Sequence, residues 1–248
     1  MEVSRNQFHL CKIFVDETEV PKPGKCFMWG AILQPVTSDL AAKLGAVRFK
    51  HRFVHAIHFS RKSNFTDNES KVIKGFLDAF IESEASYRSI VADPAKWSKL
   101  SDWSSKARLA GTLFTYPWMP AENQLFQKLS RARIIFDRNS MTLIQMAQFK
   151  ESLNRTLKKK YDTPTQRLQK SSMVFADTRI FDELQLVDIL NGIIRVSYLK
   201  EKGVSVPRAK LEMHDHLLHN FPQLKSFVKA SRFRSRQKIN VWEHEPKL

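Results

Sequence analysis

Cysteine is scarce in this sequence: two residues, Cys11 and Cys26, among 248. Two thiols build neither a disulfide scaffold nor an all-thiolate zinc site. Acidic residues are outnumbered, 25 against 41 Lys and Arg, a formal net charge of +16. Glycine (7) and proline (10) are few and scattered, so no flexible linker, repeat or low-complexity tract stands out. No apolar run reaches the ~18 residues of a membrane span. Met1 to Asn6 lacks the apolar stretch of a secretory signal. P-loop, G-x-G-x-x-G and G-x-S-x-G motifs are missing, which argues against an NTPase, a dinucleotide enzyme and a serine hydrolase. These absences predict a cytoplasmic protein with no membrane partner.

What is present is a core. Hydrophobic residues make up 42% and aromatics 11%, too much for a disordered chain. The length suits one substantial domain, or one domain with a short extension. The positive charge draws polyanions, and nucleic acid, RNA or DNA, is the commonest in a cell.

Hydrophobic alternation predicts strands at Cys11 to Asp16, Cys26 to Leu33, Tyr87 to Ala92, Arg133 to Asp137 and Met173 to Ala176. Pro21 to Gly24 breaks the chain between the first two, which are close enough to pair as a hairpin. Phe49 to Phe59, with His55 and His58, reads as another extended segment. Thr37 or Ser38 caps a short helix through Lys43, and helical spacing recurs at Lys71 to Ile81, Lys106 to Phe114, Asn123 to Leu129, Met141 to Lys160, Asp182 to Lys200 and Leu211 to Phe227. Residues beyond Phe227 read as a basic tail. The order is that of an α/β domain over 1–202, with a helical, basic C-terminal extension over 203–248 packed on or flanking it.

Two strands share one template. Lys12-Ile-Phe-Val-Asp16 and Arg133-Ile-Ile-Phe-Asp137 both run basic, apolar, apolar, apolar, Asp. If parallel and adjacent, they deliver two carboxylates to one sheet edge, where open α/β sheets bind ligands. The plain alternative is that Asp ends strands because it favours turns. A third acid, Asp188, sits in an apolar helix from Leu184 to Ile194, where a carboxylate is costly unless paired or holding a metal. Gln185, Asn191, Gly192 and Arg195 fall on its stripe, and Gly192 leaves room for a ligand beside it. The competing structural reading makes Asp182 the N-cap, with Gln185 closing a capping box, and pairs Asp188 with Arg195 or another base. Carboxylates from distant parts of the chain form an oxygen-rich set suited to Mg²⁺ or Mn²⁺. Two such ions support phosphodiester cleavage by activated water.

Asp16-Glu17 after a first strand, Ile57-His58-Phe59-Ser60, Asp137 after a later strand and Leu184-Gln185-x-x-Asp188-x-x-x-Gly192 resemble, in order and spacing over roughly the first 200 residues, the prokaryotic domain of unknown function 3800 family. That family is similar to the ribonuclease H-like superfamily. The resemblance implies a mixed sheet flanked by helices, with its first and fourth strands parallel neighbours. It also implies metal-dependent nuclease chemistry, with Asp16, Asp137 and Asp188 as metal carboxylates. Glu17 would stand at the family's second acid, and His58 would orient a phosphate or shuttle a proton. Proteins resembling the family often sit in mobile or antiviral contexts, which implies a defence-system partner.

The expected function is therefore a two-metal nuclease. The alternatives are a binding module that does not cut, and a defence or toxin component that needs its partner. Gln185, Arg195, Lys158, Arg232, Arg234 and Arg236 are the expected nucleic-acid contacts, the last three with Phe233 and Trp242 among them. Arg48 to Arg52 is a basic stretch suited to the substrate path. His214-Asp-His216-Leu-Leu-His219 places only two histidines on one helical face, which favours an ordinary His cluster over a metal site. Trp97, Trp103 and Trp118 suit packing better than base stacking, and the Trp and Phe content leaves a homodimer interface open.

Overall fold

Strand β1 (Cys11–Glu19) is apolar on both faces because it is covered on both. The computed structural model describes residues 11–19, 26–92, 102–115, 132–138, 141–160, 173–222 and 238–244. Around β1 lie β2 (Phe27–Pro35), β3 (Ser86–Ala92), β4 (Ala132–Asp137), β5 (Met173–Ala176) and β6 (Ile239–His244), in the order β5-β4-β1-β2-β3-β6. β1, β2 and β3 are antiparallel neighbours; β4 lies parallel to β1, β5 to β4, and β6 to β3. The mixed α/β sheet flanked by helices is thus present.

Six helices cover the sheet among the described residues: α1 (Leu40–His51), α2 (Asp67–Glu82), α3 (Trp103–Thr115), α4 (Leu143–Lys160), α5 (Asp182–Glu201) and α6 (Arg208–Asn220). Phe14, Met28, Ile32, Tyr87 and Ile135 pack towards α1, α2, α5 and α6. Ile13, Val15, Trp29, Ile90 and Phe136 pack towards α3 and α4. α5 is apolar on nearly every side because it is buried along most of its length. α2 begins with a capping box, Thr66 Oγ1 accepting from Glu69 N–H while the Glu69 carboxylate accepts from Thr66 N–H. No helix among the described residues is long and apolar enough to cross a membrane.

Three expectations need correction, besides the start of α1, where Asp39 and not Thr37 or Ser38 holds the cap position. Phe49 to Phe59 is not a strand: α1 runs on to His51 and ends at Arg52, a left-handed cap with φ 49°. The loop after it finds its backbone partners in side chains, because Arg48 donates to the carbonyls of Phe53 and His55 and Gln185 accepts from Ile57 N–H. The basic tail is not all tail, since Ile239 to His244 pairs with β3 as the sheet's edge strand. Asp182 does not cap α5; Phe181 holds that position, and Asp182 pairs with Arg48 at 2.5 Å. The helix expected at Asn123 to Leu129 lies outside the described residues.

Candidate active site

The parallel register of β1 and β4 aligns Val15 with Phe136. The next residue on each strand is Asp16 and Asp137. Side chains alternate along a strand, so both carboxylates leave the sheet on the face of Phe14 and Ile135, towards α5. Asp188, two turns into α5, meets them there. All three are buried, with 6%, 9% and 6% exposure for Asp16, Asp137 and Asp188, and they line one cavity of about 830 Å³.

Burial pushes the Asp16 carboxyl well above the usual carboxylate range, and the charges of Asp188, Asp137 and Glu17 push it further; Glu17 N–H, donating at 2.7 Å, opposes them. The Asp188 carboxyl is raised as well, chiefly by burial. It accepts from the N–H groups of Phe59 (2.8 Å) and Ser60 (3.4 Å), and His58 adds a favourable charge nearby. No basic side chain among the described residues forms an ion pair with any of the three, and the Asp188–Arg195 pair is not formed.

Cations ring the cavity instead. Arg61, Arg138, Arg179 and Arg195 line it together with His58 and Ser60. The Nε of Arg195 and the Oγ1 of Thr18, both buried in its wall, meet no hydrogen-bond partner among the described residues. Burial lowers Arg195 from the ordinary arginine value, and the nearby Cys26 and Asp188 oppose that shift; the group keeps its proton. Beside it Lys210 of α6 is pushed down to about 8, first by burial and then by the Arg195 charge, while donating to Ser60 O at 3.2 Å.

Glu17 takes the other side of the sheet. β1 continues to Glu19, so Glu17 points away from Asp16 and pairs with Lys106 of α3 at 3.3 Å, although it still borders the cavity. Gln185, expected at a nucleic acid, is 1% exposed. Its Oε1 accepts from Arg48 (2.6 Å) and Ile57 N–H (2.7 Å), and its Nε2 donates to Thr178 O at 3.2 Å. It holds the His58 loop against α5. Gly192 leaves no room for a ligand: a Cβ there would lie 2.1 Å from the Phe59 ring. Arg232, Arg234, Arg236 and the Lys158 side chain lie outside the described residues, as do Trp97 and Trp118.

One acid of the site, Asp177, escaped the sequence reading. Asp177 follows β5 and stands at the same edge as Asp16 and Asp137. Its carboxyl is held down to about 2 by hydrogen bonding to Arg179. An acid directly after a third short strand was the available signal. Asn191, expected on the Asp188 stripe, donates to Asp16 O at 3.2 Å and accepts from Tyr87 Oη at 2.6 Å, tying α5 to β1 and β3. The three histidines of α6 go separate ways: His214 meets Ser197 and Asp215, His216 meets Asp78, and His219 is exposed.

The donor chemistry suits a hard divalent cation, since the inward groups are carboxylate oxygens that repel one another. They share a wall without closing into a cage, and no three His, Cys, Asp or Glu among the described residues form a ready-made metal set. Compared with protein-family models, curated proteins and solved structures, the chain matches none.

Proposed function

We propose that the protein is a divalent-metal-dependent phosphodiesterase that cleaves nucleic acid, with Asp16, Asp137 and Asp188 holding Mg²⁺ or Mn²⁺. The observation that carries this reading is the meeting of three buried acids, Asp16, Asp137 and Asp188, on one cavity. Burial first, and the Asp188 and Asp137 charges next, raise the Asp16 carboxyl, and no basic side chain among the described residues pairs with it. Such a cluster is costly in a folding sense and is kept where charge is needed. The placement of Asp16 and Asp137 just past the last parallel pair of β1 and β4, and the resemblance to the domain of unknown function 3800 family, point the same way. So does the arrangement of β1 and β4 as parallel neighbours, which a ribonuclease H-like sheet requires.

Bound there, the metal would supply an activated water and stabilise the leaving oxygen. Arg195 and Thr18 offer unused donors to phosphate oxygens. Asp188 is kept facing the cavity by Phe59 and Ser60. His58, on the same loop, lines the cavity and would take or give a proton at the departing oxygen.

Labelled RNA, DNA and hybrid strands, incubated with Mn²⁺, Mg²⁺ or EDTA, test this. Metal-dependent cutting is expected, falling about a hundredfold or more in Asp137→Asn and Asp188→Asn, since several kcal/mol of charge stabilisation rests on the metal. Cutting that survives both substitutions would place the chemistry elsewhere. A second reading is a module that binds without cutting, since no three His, Cys, Asp or Glu among the described residues gather into a metal set. Tight binding in EDTA with no cleavage under any metal would select it.

A further inference from the structure

Next to the carboxylate cavity lies a groove of about 880 Å³ that the reading above does not use. Phe49, Val54 and Ile180 stand in its wall, 88%, 85% and 69% exposed. One exposed apolar side chain is ordinary. Three around one depression, from the end of α1, the loop after it and the loop after β5, form a patch that a ligand would cover.

The same wall is basic. Lys50 and Arg52 follow Phe49 in the same wall and enter no ion pair among the described residues. Asp182 is the sole carboxylate lining the groove among those residues, and Arg48 already neutralises it. Arg48 itself is fixed by the carbonyls of Phe53 and His55 and by Gln185, so the floor is preorganised. Arg179, paired with Asp177, lines both this groove and the carboxylate cavity.

We propose that this groove binds the single-stranded flank of a nucleic acid, with Phe49 stacking on a base and Lys50 and Arg52 contacting phosphates. The choice of ligand rests on the nucleic-acid reading above. Exposed apolar faces interleaved with unpaired cations match a strand whose bases are splayed and whose backbone is anionic. A duplex hides its base faces and offers the patch nothing. Through Arg179 the strand would run on towards Asp188 and Asp16.

Fluorescence anisotropy with labelled 12-nucleotide oligo-dT and oligo-U, in EDTA so that no cleavage intervenes, tests the groove alone. Phe49→Ala should weaken binding about 5- to 100-fold, the range of one lost base stack. Lys50→Glu with Arg52→Glu should weaken it and flatten the salt dependence by roughly two phosphate contacts. Leu143→Ser, which removes an equally exposed apolar residue at the start of α4, should leave binding as in the wild type. Equal affinity in the wild type, Phe49→Ala and the charge-reversed variant overturns the proposal. So does a wild type that binds no single strand, or that binds duplex equally well without regard to Phe49. If the variants weaken binding and no metal supports cleavage, the groove stands and the phosphodiesterase reading falls.

Discussion

Asp16 carries an electrostatic penalty that can be measured. Its folded-state pKa is raised by burial and by neighbouring carboxylates, so the folded chain holds that proton more tightly than the unfolded chain does. The stability linked to it is present at low pH and is lost as pH rises from the ordinary carboxylate value, about 3.9, towards the raised one. Asp16→Asn should therefore raise the thermal midpoint at pH 8 in EDTA, by about 2–4 °C for each kcal/mol relieved. The gain should shrink at pH 4, where protonation does the same in the wild type. Mn²⁺ should raise the wild-type midpoint more than the variant's. A variant less stable than the wild type at pH 8 would mean that the Glu17 N–H bond outweighs the repulsion. The sequence made Asp16 and Asp137 legible as a pair because the same five-residue template ends in each. It could not tell that Glu17 would turn to Lys106, because that depends on where β1 stops.

At the scale of elements, α5 locks onto the sheet through one absent side chain. Gly30 of β2 lies opposite Asp16 of β1. A Cβ on Gly30 would come within 1.8 Å of Asn191 Oδ1 and 2.8 Å of Tyr87 Oη. The glycine thus admits the Tyr87–Asn191–Asp16 chain of hydrogen bonds that seats α5. Gly30→Ala should cost about 1–3 kcal/mol or more from overpacking, plus the broken buried bonds, read as a lower urea midpoint. A fall below 0.5 kcal/mol, roughly the scale of a surface substitution, would show that Asn191 is free to move aside. The apolar run from Leu184 to Ile194 announced a buried helix with a misplaced acid. The role of Gly30 was hidden, because a lone glycine in an apolar strand looks the same whether or not a helix side chain fills its place.

At the scale of the molecule, the excess positive charge reaches inside. Lys210 and Lys238 are each pushed down to about 8, chiefly by burial and next by a neighbouring cation. Lys210 neighbours the cavity through Ser60 O, and Lys238 donates to Ser83 O where β6 joins the sheet. Both folded-state values lie below the unfolded lysine value of about 10.4. Between pH 8 and 10 the unfolded chain binds more protons, so stability should rise with pH across that window. Urea midpoints at pH 7.5 and 9.5 should show this rise in the wild type, and Lys210→Met/Lys238→Met should show less of it. An equal rise in the double variant would assign it to relief of general surface repulsion.

Local pattern alone determined the α/β class, most element positions and the three buried acids, because period-two and period-3.6 burial and the cost of an apolar-flanked carboxylate are written into neighbouring residues. What only the tertiary structure decided is contact between distant segments. The loop at 53–60 takes its backbone partners from Arg48, Gln185 and Asp188 rather than from a strand. Ile239 to His244 finds an open edge at β3. Phe59 fills the space beside Gly192, and Phe49, Val54 and Ile180 meet around one groove. Each of these depends on which surfaces the packed sheet leaves within reach, and that is a property of the assembled chain.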